Sequence, residues 1–213
     1  MSGMEGSLNR PLKEVLALMQ QRIMTRSTYF GIATFKSPLD FWVYQELLYE
    51  TRPDVIVEIG NFHGGSTLAL AHLCDALGNG IVIGVDLSHE SVPEIVRRHA
   101  RIRLVDGDAC QAFPAVARLA GGGRRVMVIE DSSHTFDNTL AVLRTYAPLV
   151  SPGGYFIVED GIIHHGLDGG PSPGPYEAIE VFVQENRCFE IDRSRESFLI
   201  TWNPKGYLRR IEQ

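Results

Sequence analysis

Five times between residues 55 and 160, a short apolar run ends in carboxylates. Val55 to Ile59 carries Glu58 and stops at Gly60. Ile81 to Val85 stops at Asp86, and Ile102 to Val105 at Asp106-Gly107-Asp108. Val126 to Ile129 stops at Glu130-Asp131, and Tyr155 to Val158 at Glu159-Asp160. Each run is too short for a helix of its own and rich in β-branched residues, so each reads as a buried strand. Stretches with helical character lie between them: Ser66 to Leu73, Ser91 to His99, Phe113 to Leu119 and Leu140 to Leu149. This alternation predicts a mostly parallel sheet with right-handed crossovers. In such a sheet the C-terminal strand ends share one edge, where open α/β folds bind ligands. A single acid there is an ordinary turn former or N-cap; five on one edge point to a site.

The first unit, Val55 to Ser66, sets the sign of that site. Gly60, Gly64 and Gly65 form a tight turn into a helix that begins near Ser66, with helix N–H groups at its mouth. The spacing is not Gly-x-Gly-x-x-Gly. Glu58, just before the turn, suits a cationic or hydroxyl-rich ligand better than a pyrophosphate. Asp86, ending the second strand, is placed to accept hydrogen bonds from ribose hydroxyls. Asp131, Glu159 and Asp160 form a second group. Three converging carboxylates repel one another, and a hard divalent cation (magnesium, manganese or calcium) resolves this with all-oxygen ligands. The alternative is a solvated acidic rim. His134 follows Asp131 by three residues, where a neutral imidazole could take a proton from a substrate hydroxyl. Its alternative is a loop or capping residue.

The rest of the chain sets limits. Its 213 residues suffice for one α/β domain. A net charge of −6 and a pI near 5.6 disfavour a nucleic-acid partner. No apolar run approaches the ~20 residues of a membrane span, and no apolar signal core follows the N-terminus. Cys74, Cys110 and Cys188 are widely spaced and odd in number, as for reduced thiols in a cytoplasm. Residues 1–50 read as a helical cap or oligomer contact. Met1 to Arg10 is polar, and Leu12, Val15, Leu16, Leu18 and Met19 have helical spacing. Ser37 and Pro38 then open a helix carrying Leu39, Trp42, Val43, Leu47 and Leu48. Ile162 to Pro175 is a long loop, a candidate lid, with His164 and His165 as competing bases. After a helix from Pro175 to Asn186, Cys188 to Asp192 and Phe198 to Trp202 read as two antiparallel strands, giving seven in all.

The Val55 to Ser66 corner resembles motif I of class I S-adenosylmethionine-dependent methyltransferases. The strand-end acids resemble those of metal-dependent O-methyltransferases. The catechol type has a lysine three residues after its first metal aspartate; His134 in that place resembles bacterial sugar and macrolide O-methyltransferases. Across residues 28–202 the chain resembles the cephalosporin hydroxylase family. Lys36-Ser37-Pro38-Leu39-Asp40-Phe41-Trp42-Val43-Tyr44-Gln45-Glu46, Pro53 to Ser66, Asp131-Ser132-Ser133-His134 and Val158-Glu159-Asp160 carry that resemblance. It implies a Rossmann-like class I methyltransferase fold of one domain, with helices on both sheet faces. It implies S-adenosylmethionine at Glu58, Gly60, Asn61, Gly64, Ser66, Asp86, Asp108 and Asp131, and magnesium at Asp131, Glu159 and Asp160. His134 is then the base for a sugar or natural-product hydroxyl. Independently of the resemblance, the cysteines point to the cytoplasm, and Phe41, Trp42 and the Leu12 to Met19 face to a homo-oligomer. Two rivals stay open: a hydroxylase, as the family name suggests, and a non-catalytic cofactor-binding partner in antibiotic biosynthesis.

Overall fold

A computed structural model describes residues 4–6 and 8–211. Of the polar stretch Met1 to Arg10, residues 1–3 and 7 lie outside that description. Helix α1 (Leu12–Arg26) leads into a small antiparallel hairpin, β1 (Thr28–Tyr29) and β2 (Ile32–Ala33). Helix α2 (Pro38–Thr51) follows, and Ser37 caps it, its hydroxyl accepting from Asp40 N at 3.4 Å. Then come β3 (Val55–Ile59), α3 (Gly65–Leu77), β4 (Ile81–Asp86), α4 (Glu94–Arg97), β5 (Ile102–Asp106), α5 (Ala109–Ala120) and β6 (Val126–Glu130). The chain closes with α6 (Phe136–Tyr146), β7 (Tyr155–Val158), α7 (Pro175–Glu185), β8 (Phe189–Ile191) and β9 (Tyr207–Arg210).

The seven-stranded sheet has the order β5-β4-β3-β6-β7-β9-β8. Strands β3 to β7 are parallel, and β9 runs antiparallel to both β7 and β8. Strand order reverses between β3 and β6, which makes the C-terminal edge there the binding crevice of the fold. Alternation within each strand divides the core. Val55, Val57 and Ile59 face α5, α6 and α7, packing with Val116, Leu143, Tyr146 and Phe182. Ile56, Met127 and Ile157 face α2 and α3, packing with Tyr44, Leu47 and Leu68. Each such side chain, fully buried, stabilises the fold by about 1.5–3 kcal/mol. A separate apolar cluster joins Leu16 and Ile23 of α1 to Ile162, Leu167 and Trp202. Among the described residues, no helix is long and apolar enough to cross a membrane.

One expectation is corrected. Phe198 to Trp202 is not a strand; the antiparallel partner is β9, nine residues further on at Tyr207. Leu199 is 93% exposed with φ +64, so the apolar run is broken at its second residue. Trp202 instead turns to α1, and its backbone N–H donates to Asp40 Oδ2 at 2.9 Å. In α2, Trp42 is exposed, while Tyr44 is buried.

Candidate active site

The site is built on a contact between two strand ends. Asp131 N donates to Ile59 O at 2.9 Å, and Gly60 N donates to Val85 O at 2.8 Å. Gly60 has φ +84, and a Cβ on it would stand 2.1 Å from Asp131 O. The protein's own packing therefore demands this glycine before any ligand does. Gly64, at φ +79, faces the side chains of Val92 and Val96.

Above this contact opens a cavity of about 590 Å³. Gly60, Asn61, Ser66, Asp86, Asp108, Asp131, His134 and Asp160 line it, whereas Glu58, Gly64 and Glu159 do not. Asp86 is held by two backbone donors: Phe62 N donates to Oδ2 and Leu87 N to Oδ1, each at 2.7 Å. Asp108 caps α5, accepting from Gln111 N at 3.0 Å. The opposite wall is largely apolar, with Ile23 and Met24 of α1, Ile162, Ile163 and Leu167 of the long loop, and Trp202.

Strand alternation explains the displaced acids. Glu58 has the parity of Ile56, and Glu159 that of Ile157, so both turn to the α2 face. Glu58 is fully buried; its Oε2 accepts from Thr67 Oγ1 at 2.5 Å and its Oε1 has no hydrogen-bond partner among the described residues. Lys36, which precedes α2, reaches into this face. It is 6% exposed, donates to Asp131 Oδ2 at 2.6 Å and to Glu159 Oε1, and stands 3.8 Å from Glu58 Oε1. Burial opposes the Lys36 charge, but Asp131, Glu159 and Glu58 outweigh it and hold the ammonium above its ordinary range.

On the cavity side, Asp131, His134 and Asp160 each offer one ligand atom, and these lie within 4.8 Å of one another. His134 Nε2 is 3.3 Å from Asp160 Oδ2 and 4.0 Å from Asp131 Oδ1. His134 and Asp160 both hold left-handed backbone, φ +55 and +57, a cost commonly stored at functional sites. Burial raises the Asp131 and Asp160 carboxyls well above the ordinary range. Repulsion from a neighbouring acid adds to this, and Lys36 partly offsets it. Glu159 is raised to about 8 by burial and by Asp131. Burial, then the Lys36 charge, pushes the His134 imidazole down to about 4, so it is neutral at working pH. His164 Nε2 is 3.1 Å from Gly170 O, and His165 pairs with Glu177 at 2.8 Å while stacking on Tyr176. Neither lines the cavity.

The sequence reading assigned no role to Lys36, nor to Glu130. Glu130 is 2% exposed, accepts from Ser132 Oγ at 2.6 Å, and is raised to about 8 by burial. Nothing local marks them: Lys36 meets Asp131 across 95 residues of sequence.

With this geometry established, the family follows from comparison. Residues 21–211 match the family model described as Rhamnosyl O-methyltransferase/CmcI. The chain belongs to that family. It is 34% identical over 197 residues to a rhamnosyl O-methyltransferase of Mycobacterium tuberculosis, covering 88% of this chain and 80% of the relative. A rhamnosyl O-methyltransferase of Mycobacterium leprae is 31% identical over 198 residues, with 88% and 85% covered. A solved structure of CmcI with Mg and SAM superposes with a TM-score of 0.69 at 24% identity, over 87% of this chain and 77% of that one. The resemblance to the cephalosporin hydroxylase family is borne out, as is the class I methyltransferase fold. The chain is an O-methyltransferase of this family; its relatives are named for methyl transfer rather than hydroxylation.

Proposed function

We propose that this chain moves a methyl group from S-adenosylmethionine to a hydroxyl of a sugar or natural-product small molecule, with magnesium or another hard divalent cation. The crevice at the sheet's switch point supports the cofactor's place: Gly60, Asn61, Ser66 and Asp86 line it, with Asp108 further along. Glu58 and Gly64 act from beneath, Glu58 as a buried carboxyl under the methionine end and Gly64 as the bend into α3. The cofactor supplies a methyl on a positively charged sulfur, open to in-line displacement. The donor set fits a hard cation through two carboxylates, Asp131 and Asp160, whose pKa values are raised and which stand beside the His134 imidazole. Asp131 and Asp160 would hold it on the cavity side, while Glu159, bonded to Lys36 beneath the sheet edge, would act through that shared ammonium. Such a divalent cation lowers the pKa of a nearby hydroxyl.

His134 does the proton chemistry. Its neutral imidazole lies at the cavity beside Asp160 and would take the proton of an acceptor hydroxyl. Asp160 then stabilises the imidazolium. The α1 wall and the loop around Ile162 exclude water and orient the acceptor. The observation that carries this reading is the convergence of Asp131, His134 and Asp160 at the crevice. Residues 1–213 act as one methyltransferase domain, with residues 1–50 supplying the cap. The protein is cytoplasmic and forms a homo-oligomer, which exposed Trp42 and Tyr49, seven residues apart on α2, support.

The test is His134→Ala. It should leave cofactor and metal affinity nearly intact and slow single-turnover methyl transfer by about 10²–10⁴-fold. Near-normal transfer in that variant, with loss in His164→Ala or His165→Ala, would place the base on the loop.

A further inference from the structure

The loop after β4 turns a buried imidazole back beneath the cofactor end of the crevice. His89 is 3% exposed, and neither the sequence motifs nor the proposed chemistry uses it. Its Nδ1 meets the Asp106 carboxylate at the end of β5, and its Nε2 lies 2.9 Å from Asn61 Oδ1 in the turn after β3. One side chain thus joins three strand ends. Its own loop is fixed by Arg97, whose guanidinium donates to His89 O and, at 2.8 Å, to Val92 O.

Asn61 depends on that imidazole. It is 2% exposed and lies across β4 at Gly84, where a Cβ would stand 2.8 Å from Asn61 Nδ2. Nδ2 has no hydrogen-bond partner among the described residues, so the His89 ring alone is seen to anchor the amide. The next residue completes a circuit. Phe62 N donates to Asp86 Oδ2, and Asp86 stands three residues before His89 on the same loop.

We propose that His89 is a positioning residue for the cofactor: through Asn61 it fixes the Phe62 N–H and so the Asp86 carboxylate in the orientation that a ribose diol requires. This rests on the reading that the crevice takes S-adenosylmethionine. A ring oriented by a carboxylate holds its second partner firmly, and losing it leaves a buried amide with neither end bonded. The turn then relaxes and Asp86 loses its fixed donor. His89 bonds Asp106 and Asn61 rather than Asp131, His134 or Asp160, so cofactor affinity should change while the chemical step does not.

The test uses titration calorimetry with S-adenosylhomocysteine on wild type, His89→Ala, His89→Gln and Asp106→Asn, with Mn²⁺ affinity and kcat at saturating S-adenosylmethionine beside it. His89→Ala should raise the S-adenosylhomocysteine Kd about 10–100-fold and the cofactor KM in parallel, as expected when ground-state and transition-state binding are lost together. Its kcat should fall less than threefold and its Mn²⁺ affinity should not change. His89→Gln, which can still bond Asn61, should recover most of the loss. Asp106→Asn, an exposed change that spares the core, should give a smaller loss in the same direction. Wild-type cofactor affinity in His89→Ala overturns the proposal, as does a fall in kcat or Mn²⁺ affinity matching the fall in cofactor affinity. If His89→Ala does not fold, unchanged cofactor affinity in Asp106→Asn overturns it. A wild-type protein that binds no S-adenosylhomocysteine overturns the cofactor reading itself.

Discussion

Replacing Lys36 with methionine keeps most of its length and removes the cation that Asp131 and Glu159 share. Removing one partner of a buried ion pair costs about 3–5 kcal/mol, because the remaining charge is left uncompensated. For a chain of this size each kcal/mol moves Tm by about 2–4 °C, so the loss should be about 6–20 °C. The acids have an escape, which is to take up protons. Burial has already raised Glu159 and Glu130 to about 8, and Asp131 and Asp160 are raised as well. The folded state therefore holds more protons than the unfolded chain up to about pH 8, and stability falls as pH rises. His134 acts in the opposite sense only below its ordinary value of 6.5, since its folded value is about 4. The clean window is pH 6.5 to 8. In chelator-treated protein, Lys36→Met should lose most at pH 8, where the acids ionise, and least at pH 6.5. Magnesium should return part of the loss by binding the folded state. The assay is thermal unfolding at both pH values with and without the metal. An unchanged Tm at pH 8, or a larger loss at pH 6.5, refutes the charge-sharing argument.

Two further outcomes follow from the same geometry. Asp86→Ala should weaken S-adenosylmethionine binding by about 1.5–3 kcal/mol, the range for hydrogen bonds to a charged group, and calorimetry showing unchanged affinity would put the ribose elsewhere. Gly60→Ala must fit a Cβ 2.1 Å from Asp131 O at φ +84. It should cost more than the ~1–2 kcal/mol of left-handed backbone alone, read as a lower denaturation midpoint. A wild-type midpoint would mean that the β3–β6 contact yields easily.

The sequence by itself determined the five parallel strands, their order along the chain and the edge on which their acids meet. Short β-branched runs separated by helical spacing leave little choice of architecture. The approach of Asp131, His134 and Asp160 was legible for the same reason, since strand ends in such a sheet must share an edge. Two acids were placed too simply. Glu58 and Glu159 share the parity of Ile56 and Ile157, and period-two alternation turned them under the sheet edge, away from the crevice. Which helix would cover that face is a tertiary fact, and so is Lys36, whose partners lie far along the chain. The C-terminal pair shows the same limit. Phe198 to Trp202 is the more apolar run, yet Tyr207–Arg210 forms the strand. Asp40, on α2, draws the Trp202 backbone N–H and the Tyr207 hydroxyl to one buried carboxylate, at 2.9 and 2.8 Å. A pattern within the chain fixes which residues can pair; a buried charge that must be satisfied from distant segments decides which of them do.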